Sequence, residues 1–441
     1  MSGRTKKKPP APPLEYSLLL TATLCLLAFG AVMVFSASSA RSLLNHGGSG
    51  FYYLERTLIF GAIGLVVMRL AAVRGVAAVR TLTPLILGIA MFLLFAVLLP
   101  GVGSTVNGSQ RWIGAGLLQF QPSELAKLAL VLYGAFLLSK EPKRAKTLGG
   151  LGPYLMIVGL ALLLITKEPD LGTSIVASIA VCCVLFLGGV KVRTLAPVGI
   201  AIAVIGIGMV ATHPYQEARL TGFLHPNSDT GGSGFQAKQA TIAVGSGGIF
   251  GVGLGESVQK ASYLPEAHTD MIAAVIGEEL GLAGMVVLIG LFGMFGYAGL
   301  RAAHRARDRF SKLLAAGLTS LILAQAALNL FAVLGLAPLT GVPLPFVSYG
   351  GTSLVMTLAA AGLILNVARR PARASASGRS GSRTAEGGTR RTAGGPAKLR
   401  VVQGGTNTRR KRAASGTSRD SGRRHGGARR TGDRRRRRAS R

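Results

Sequence analysis

The segment YLPEAHTD joins a polar, glycine-rich stretch of nearly sixty residues to an apolar run that begins at Met271. Its last residue, Asp270, lies where a loop meets a bilayer, and a carboxylate there is costly to keep unless it has a task. Asp270 is therefore the first candidate for chemistry. Aspartate also suits the cap of the helix that follows, but capping alone needs no cationic surroundings. His268 is better explained by local structure.

A second polar cluster combines the segments NGSQRWI and QPSELAK. Arg111 precedes the only tryptophan, Trp112, which is typical of an interfacial anchor. Glu124 and Lys127 are three residues apart at the predicted start of a helix, so they share one face and are expected to pair. The pair has two interpretations: it stabilises a helix end, or it lines a cavity for a charged lipid headgroup.

Three further segments carry polar residues. In KEPDLGTS, Glu168 and Asp170 flank a proline, and acids in such an external turn are ordinarily solvated. The PLPFVSYGGTS segment, which contains Ser348, breaks the start of the last apolar run. Such breaks persist only where they line a cavity or the protein interior, although its small residues also suit close helix packing. The run GSGGIFGVGLG lacks the Lys-Ser/Thr pair of a nucleotide-binding loop, so its glycines predict close backbone packing and no nucleotide.

These residues must be positioned by membrane-spanning helices. The chain has 441 residues, 49% of them hydrophobic, and a mean hydropathy of +0.44. A span needs roughly 20 apolar residues, and ten such runs are predicted. They cover about 16–37, 55–73, 82–101, 122–139, 151–166, 171–190, 194–212, 271–300, 313–336 and 347–368. The expected fold is an all-α polytopic membrane protein with a large extracytoplasmic loop between helices 7 and 8.

Charge gives the expected orientation and separates a tail from the body. Of the formal net charge of +33, residues 369–441 carry +21, from 24 basic and three acidic residues. Within the body, 18 basic residues lie in one set of loops and eight in the other, so both termini are expected to be cytoplasmic. The predicted parts are a cytoplasmic N-terminal segment (1–15), a membrane domain (16–368) and a disordered basic cytoplasmic tail (369–441). The three cysteines lie in apolar runs without metal-ligand spacing.

The ordered set QRWI, QPSELAK, EPDLGTS, YLPEAHTD, IGEELG and PFVSYGGTS resembles the SEDS family (shape, elongation, division, sporulation) over the whole membrane body. The resemblance implies a ten-helix fold and a peptidoglycan glycosyltransferase that polymerises lipid II. It implies that Asp270 is the essential carboxylate and that Glu124 and Lys127 occupy the family's QPSE-x-x-K positions. IGEELG, FYYLERTL and the basic tail resemble the division branch, whereas PLTGVPLPFVSYGG resembles the elongation branch.

The implied reaction needs a base for a sugar hydroxyl and positive charge for a departing pyrophosphate. Asp270 is predicted to be that base, or a ligand for a divalent cation such as Mg²⁺ or Mn²⁺. The remaining residues predicted to bind substrate are Arg111, Glu124, Lys127, Arg219, Lys260 and Ser348. The expected partners are lipid II, a class B penicillin-binding protein with transpeptidase activity, division or elongation scaffold proteins and membrane lipid, with no specific nucleic acid.

The alternative function is transport of lipid II across the membrane. A transporter requires ionisable residues at mid-membrane, and the predicted spans are nearly free of charge. Glu278 and Glu279 are the main exceptions. The polar clusters instead lie on the face predicted to be extracytoplasmic, which favours an enzyme in the bacterial cytoplasmic membrane.

Overall fold

The computed structural model describes residues 12–45, 50–106, 109–114, 116, 119–143, 147–212, 214–225, 232–262, 264 and 266–369. Within these residues, eight helices are long and apolar enough to cross a membrane, and the apolar helix Leu171–Leu187 is slightly shorter. The chain is thus a multi-pass helical membrane protein, as predicted. The predicted basic tail lies outside the described residues, apart from Arg369.

Twelve helices and two strands lie within the part of the chain that the structure describes. They are α1 (Leu14–Asn45), α2 (Tyr52–Val97), β1 (Gly103–Val106), β2 (Ser109–Ile113), α3 (Pro122–Lys140), α4 (Leu148–Lys167), α5 (Leu171–Leu187), α6 (Val192–Thr212), α7 (Pro214–Leu224), α8 (Ser233–Ser246), α9 (Gln259–Ser262), α10 (Ile272–His304), α11 (Arg309–Val333) and α12 (Gly351–Arg369). Strands β1 and β2 form an antiparallel hairpin that the all-helical prediction did not include.

Local sequence explains where several helices begin. Pro122 starts α3, where its missing N–H is not needed. The Asp170 side chain accepts a hydrogen bond from the Thr173 amide and caps α5. Asp308 caps α11 in the same way, through the Ser311 amide.

Helix α2 covers two of the predicted spans, 55–73 and 82–101. A straight helix of 46 residues would be roughly 69 Å long. Yet Tyr53 near its start and Trp112 of the following hairpin line one cavity, and Gln110 of that hairpin bonds to the Leu99 carbonyl just beyond the end of α2. The chain therefore reverses direction within α2. The total of ten membrane crossings stays a prediction.

Basic residues gather at the end of the bundle opposite to Asp270. There, the Glu15 carboxylate lies 3.0 Å from Arg301 Nε and 2.6 Å from an Arg305 amino group. Arg80 lies 3.9 Å from Asp308, the N-cap of α11, which follows the end of α10 by four residues. The structure thus brings together basic residues that the charge asymmetry assigned to one side.

The polar stretch before Asp270 contains helices α7, α8 and α9, so it is more ordered than a glycine-rich loop suggests. Its glycine-rich part docks on α10, whose helical geometry is interrupted at Gly281 (φ 64°, ψ −159°). The Val252 amide donates to the Glu278 carbonyl at 3.0 Å, and the Leu282 amide donates to the Gly248 carbonyl at 2.9 Å. A side chain at Gly251 would collide with the Glu279 carbonyl. The predicted close backbone packing is confirmed.

Candidate active site

The starts of α2, α3, α5, α10 and α12 converge on a cavity of about 450 Å³. Its wall is unusually rich in charge for a membrane-embedded bundle, with three arginines and four carboxylates. The lining residues are Tyr53, Arg56, Phe60, Ser109, Arg111, Trp112, Gly116, Gln119, Gln121, Glu124, Asp170, Thr173, Arg219, Gln236, Glu266, His268, Thr269, Asp270, Gly341, Pro343, Tyr349, Gly350, Gly351 and Ser353.

Asp270 is held at the cavity wall by its main chain. Its carbonyl accepts a hydrogen bond of 2.7 Å from the Asn329 side-chain amide. Its carboxylate accepts one of 3.2 Å from the Thr269 hydroxyl. Met271 is the N-cap of α10, and no side chain caps this helix. The capping interpretation of Asp270 is therefore wrong, and its carboxylate is directed to the cavity.

The surroundings of Asp270 favour its neutral form more than water does. Burial raises the pKa of the Asp270 carboxyl above its ordinary value, and the nearby Glu266 carboxylate adds to the rise. The Arg219 guanidinium opposes both effects. A carboxylate whose pKa is raised is a stronger base than an ordinary aspartate.

Three arginines supply positive charge to the cavity. Arg219 donates to the Leu339 carbonyl at 3.0 Å, which holds its guanidinium near Asp270. Arg111 donates to the carbonyls of Glu168 at 2.9 Å and Pro169 at 2.6 Å. Arg56, which was not predicted as a site residue, lies 4.4 Å from the centre of the Tyr52 ring. Arg111 and Arg219 thus line the cavity, and their role in substrate binding stays a prediction.

Glu124 and Lys127 form the predicted pair, with 2.9 Å between Lys127 Nζ and Glu124 Oε1. Lys127 is 2% exposed and also donates to Gln325 Oε1 at 2.8 Å. Glu124 lines the cavity, whereas Lys127 lies behind it. The ammonium therefore neutralises a cavity carboxylate from the interior of the bundle.

The turn between α4 and α5 contains two acids that were predicted to be solvated, and this prediction is wrong. Glu168 and Asp170 are both buried. The Asp170 carboxylate accepts from the Gln121 amide at 3.1 Å as well as from the Thr173 amide. Neither Glu168 carboxylate oxygen has a hydrogen-bond partner within the described residues. The turn between α4 and α5 is thus packed against the hairpin, through the hydrogen bonds that Arg111 donates to it.

Besides Lys127, two more of the predicted substrate-binding residues lie away from the cavity wall. Ser348 is buried, and its hydroxyl accepts from the Leu344 amide at 2.7 Å, so it shapes the turn before α12. Lys260 is buried in an ion pair with Glu279. The prediction of Lys260 as an outward cation is corrected, because a single sequence does not show which acid a loop lysine will meet. Trp112 lines the cavity, and its predicted role as an interfacial anchor stays a prediction.

An aromatic group behind Asp270 was not predicted. The His268 ring lies 4.2 Å from the Tyr53 ring and 5.5 Å from the Tyr349 ring, measured between centroids. The Tyr349 amide also donates to the His268 carbonyl at 2.9 Å. These contacts support the local structural role expected for His268. The FYYLERTL and PFVSYGG motifs contain Tyr53 and Tyr349, but neither motif shows that these two side chains meet His268.

Two carboxylates of the cavity wall could hold a divalent cation. Asp270 and Glu266 both line the cavity, and the Thr269 hydroxyl lies 3.2 Å and 3.4 Å from one carboxylate oxygen of each. Mg²⁺ is commonly held by one or two carboxylates together with substrate phosphates. Within the described residues, no group of three or more His, Cys, Asp or Glu side chains is placed to hold a metal alone. The residues therefore fit a cation shared with a phosphate ligand.

The fold and the cavity define a multi-pass membrane protein with a charged site at one end of its helical bundle. The family described as "Cell cycle protein", which comprises FtsW, RodA and SpoVE, matches residues 16–372. The chain belongs to this family, which confirms the resemblance inferred from the motifs.

Individual relatives and solved structures agree with this assignment. A protein named "Probable peptidoglycan glycosyltransferase FtsW" from Geobacter sulfurreducens is 39% identical over 355 residues, which cover 80% of this chain and 95% of the relative. "Stage V sporulation protein E" from Bacillus subtilis is 41% identical over 354 residues, covering 80% and 96%.

Two solved structures share the fold. One is described as "Structural coordination of polymerization and crosslinking by a peptidoglycan synthase complex", with 32% identity, a TM-score of 0.65 and coverage of 80% of this chain and 96% of that one. The other is the rod shape determining protein RodA from Thermus thermophilus, with 27% identity, a TM-score of 0.57 and coverage of 80% and 95%.

Proposed function

We propose that this chain is a peptidoglycan glycosyltransferase that polymerises lipid II into glycan strands and releases undecaprenyl pyrophosphate. It would act at the extracytoplasmic face of the bacterial cytoplasmic membrane, with both termini in the cytoplasm. One observation carries the proposal: the Asp270 carboxylate lines a charged cavity with Arg56, Arg111 and Arg219 at one end of the bundle. Relatives named as peptidoglycan glycosyltransferases support the reaction class.

In the proposed reaction, the 4-hydroxyl oxygen of a lipid II N-acetylglucosamine attacks the anomeric carbon of the growing chain's N-acetylmuramic acid. The bond from that carbon to the pyrophosphate oxygen breaks as the glycosidic bond forms. Asp270 accepts the hydroxyl proton, for which its raised pKa suits it. Arg219 and the other cavity arginines stabilise the negative charge that develops on the pyrophosphate.

In the alternative to the role of base, Asp270 would hold a divalent cation such as Mg²⁺ or Mn²⁺ together with Glu266, since both side chains line the cavity. When bound, such an ion neutralises negative charge on the leaving pyrophosphate. No nucleotide is needed, since the energy for transfer resides in the sugar–pyrophosphate bond of the substrate.

The proposed partner is a class B penicillin-binding protein that cross-links the new strands. It is supported by the fold shared with a peptidoglycan synthase complex described as coordinating polymerisation and cross-linking. Division or elongation scaffold proteins would recruit this pair. Several relatives named FtsW favour the division role, and the elongation role of RodA is the alternative.

Lipid II transport is the second candidate function. The two acids that would favour it, Glu278 and Glu279, are buried against the polar loop and are not among the residues that line the cavity. Their contacts with Ser257 and Lys260 leave them engaged with protein groups. This arrangement supports the enzymatic proposal, because a mid-membrane pathway would need accessible ionisable groups.

Polymerisation by the purified protein is the test. Asp270→Asn retains the side-chain size, and the main-chain contact with Asn329 does not depend on the carboxylate. We expect a rate at least about 10²-fold lower than wild type on lipid II, because the base is lost. Wild-type activity should rise with pH through a midpoint above the ordinary aspartate range.

The matched control is Glu256→Gln, which neutralises an exposed carboxylate of the same loop. It should polymerise at the wild-type rate. Near-normal glycan synthesis by folded Asp270→Asn would refute the role of Asp270 as base.

A further inference from the structure

Three buried charges lie outside the cavity and take no part in the proposed chemistry. Lys260, Glu278 and Glu279 are 8%, 3% and 0% exposed. Lys260 belongs to the polar loop, whereas the two acids belong to α10, three and two residues before the break at Gly281. Burying charges in a membrane protein is expensive, so this cluster calls for a specific explanation.

The contacts join three separate elements. Lys260 Nζ lies 2.6 Å from Glu279 Oε1. The Ser36 hydroxyl of α1 donates to both Glu279 oxygens, at 2.7 and 2.6 Å, and accepts from Lys260 Nζ at 3.2 Å. The loop, α10 and α1 therefore meet at one ion pair.

The neighbouring acid ties the same loop to α10 a second time. Glu278 accepts a short hydrogen bond from the Ser257 hydroxyl and one of 3.1 Å from the Val258 amide. The Lys260 amide donates to the Ser257 hydroxyl at 3.2 Å. Every charge of the cluster thus has a protein partner, and the loop backbone just before Lys260 is fixed to α10.

The positions of these residues relate the cluster to Asp270. Asp270 follows Lys260 by ten residues and precedes Glu279 by nine. The Lys260–Glu279 contact therefore closes a short loop of chain that has Asp270 near its middle. We infer that Lys260, Glu279 and Ser36 form a positioning site that holds the segment bearing Asp270 in its working place at the cavity wall.

This inference rests on the proposed function for its kinetic consequence but not for its structural one. A misplacement of about 1 Å far from the chemistry can cost about 10²-fold in rate. A buried ion pair that serves folding alone is instead replaceable by neutral side chains with little loss. A positioning role and a purely structural role can be separated. Neutral side chains in place of Lys260 and Glu279 should retain stability but lack the ionic contact.

The test uses the full-length double variant Lys260→Met/Glu279→Gln, which leaves neither charge unpaired. Its melting temperature should stay within a few degrees of wild type. At saturating lipid II, kcat should fall at least ten-fold, while KM changes less than two-fold. Amide hydrogen exchange in residues 261–270 should become at least ten-fold faster. Lys238→Met, which removes an exposed lysine of the same polar stretch, should change none of these quantities.

The double variant overturns the inference if it keeps either the wild-type kcat or the wild-type exchange rate in residues 261–270. If it fails to fold, Glu279→Asp replaces it, because this change keeps both charges and draws the loop toward α10. It should lower kcat at least ten-fold without an increase in KM, and a wild-type kcat would reject the inference. If wild-type protein makes no glycan, the proposed function fails, whereas hydrogen exchange still decides the positioning role.

Discussion

Replacing Glu168 by glutamine should stabilise the protein in neutral and mildly alkaline solution. The Glu168 side chain is completely buried at the turn between α4 and α5, and neither oxygen has a hydrogen-bond partner within the described residues. Burial raises the pKa of the Glu168 carboxyl to about 9, the neighbouring Asp170 carboxylate adds to the rise, and the Arg111 guanidinium opposes it. Glutamine resembles the protonated acid in shape and carries no charge at any pH.

The direction of this pH effect on stability follows from proton binding. Between pH 4.5, the value for a free carboxyl, and about 9, the folded protein holds a proton that the unfolded chain releases. The free energy of unfolding therefore falls as pH rises through this window, by up to about 1.4 kcal/mol for each pH unit. From pH 5 to pH 8 the loss is roughly 4 kcal/mol at most. Glu168→Gln removes this loss.

Thermal unfolding in detergent at pH 5, 6.5 and 8 measures the effect. We expect the two proteins to melt at similar temperatures at pH 5, and the variant to melt progressively higher than wild type as pH rises. Glu256→Gln, at an exposed position, should follow wild type throughout. Parallel melting curves for Glu168→Gln and wild type across this range would show that the Glu168 carboxyl is charged or hydrated in the fold, and the reasoning would fail.

Three more outcomes are expected. Lys127→Met should destabilise the protein by about 3–5 kcal/mol in thermal unfolding, because it strands the buried Glu124 carboxylate; an unchanged melting temperature would exclude a buried charged pair. Gly251→Ala should sharply lower the yield of folded protein, since its φ of 80° and the adjacent Glu279 carbonyl leave no room for a side chain, whereas Gly255→Ala in open space should lose less; equal yields on gel filtration would contradict this packing. Truncation after Ala368 should leave lipid II polymerisation intact in vitro and impair localisation in cells, and loss of activity in a folded truncated protein would assign the tail to the enzyme.

The periodicity, the charge distribution and the order of motifs in the sequence determine much of the fold of this protein. Long apolar runs require helices because backbone groups in lipid must bond within their own segment, so the helical class and most span positions followed from sequence. The grouping of Arg80, Arg301 and Arg305 at one end followed from charge asymmetry. The pairing of Glu124 with Lys127 followed as well, because a spacing of three residues on one helix is local geometry.

Tertiary structure decided the contacts between distant segments. Lys260 meets Glu279 and Ser36, and the His268 ring meets Tyr53 and Tyr349, only because separate helices pack together. Burial of the Glu168 turn likewise depends on the hairpin above it, which local sequence did not predict. A single sequence carries the period of each helix but not the rotation and depth at which helices pack. The rotation and depth of the helices place Asp270 beside the cavity arginines. They also bury Lys260 against Glu279, away from the cavity.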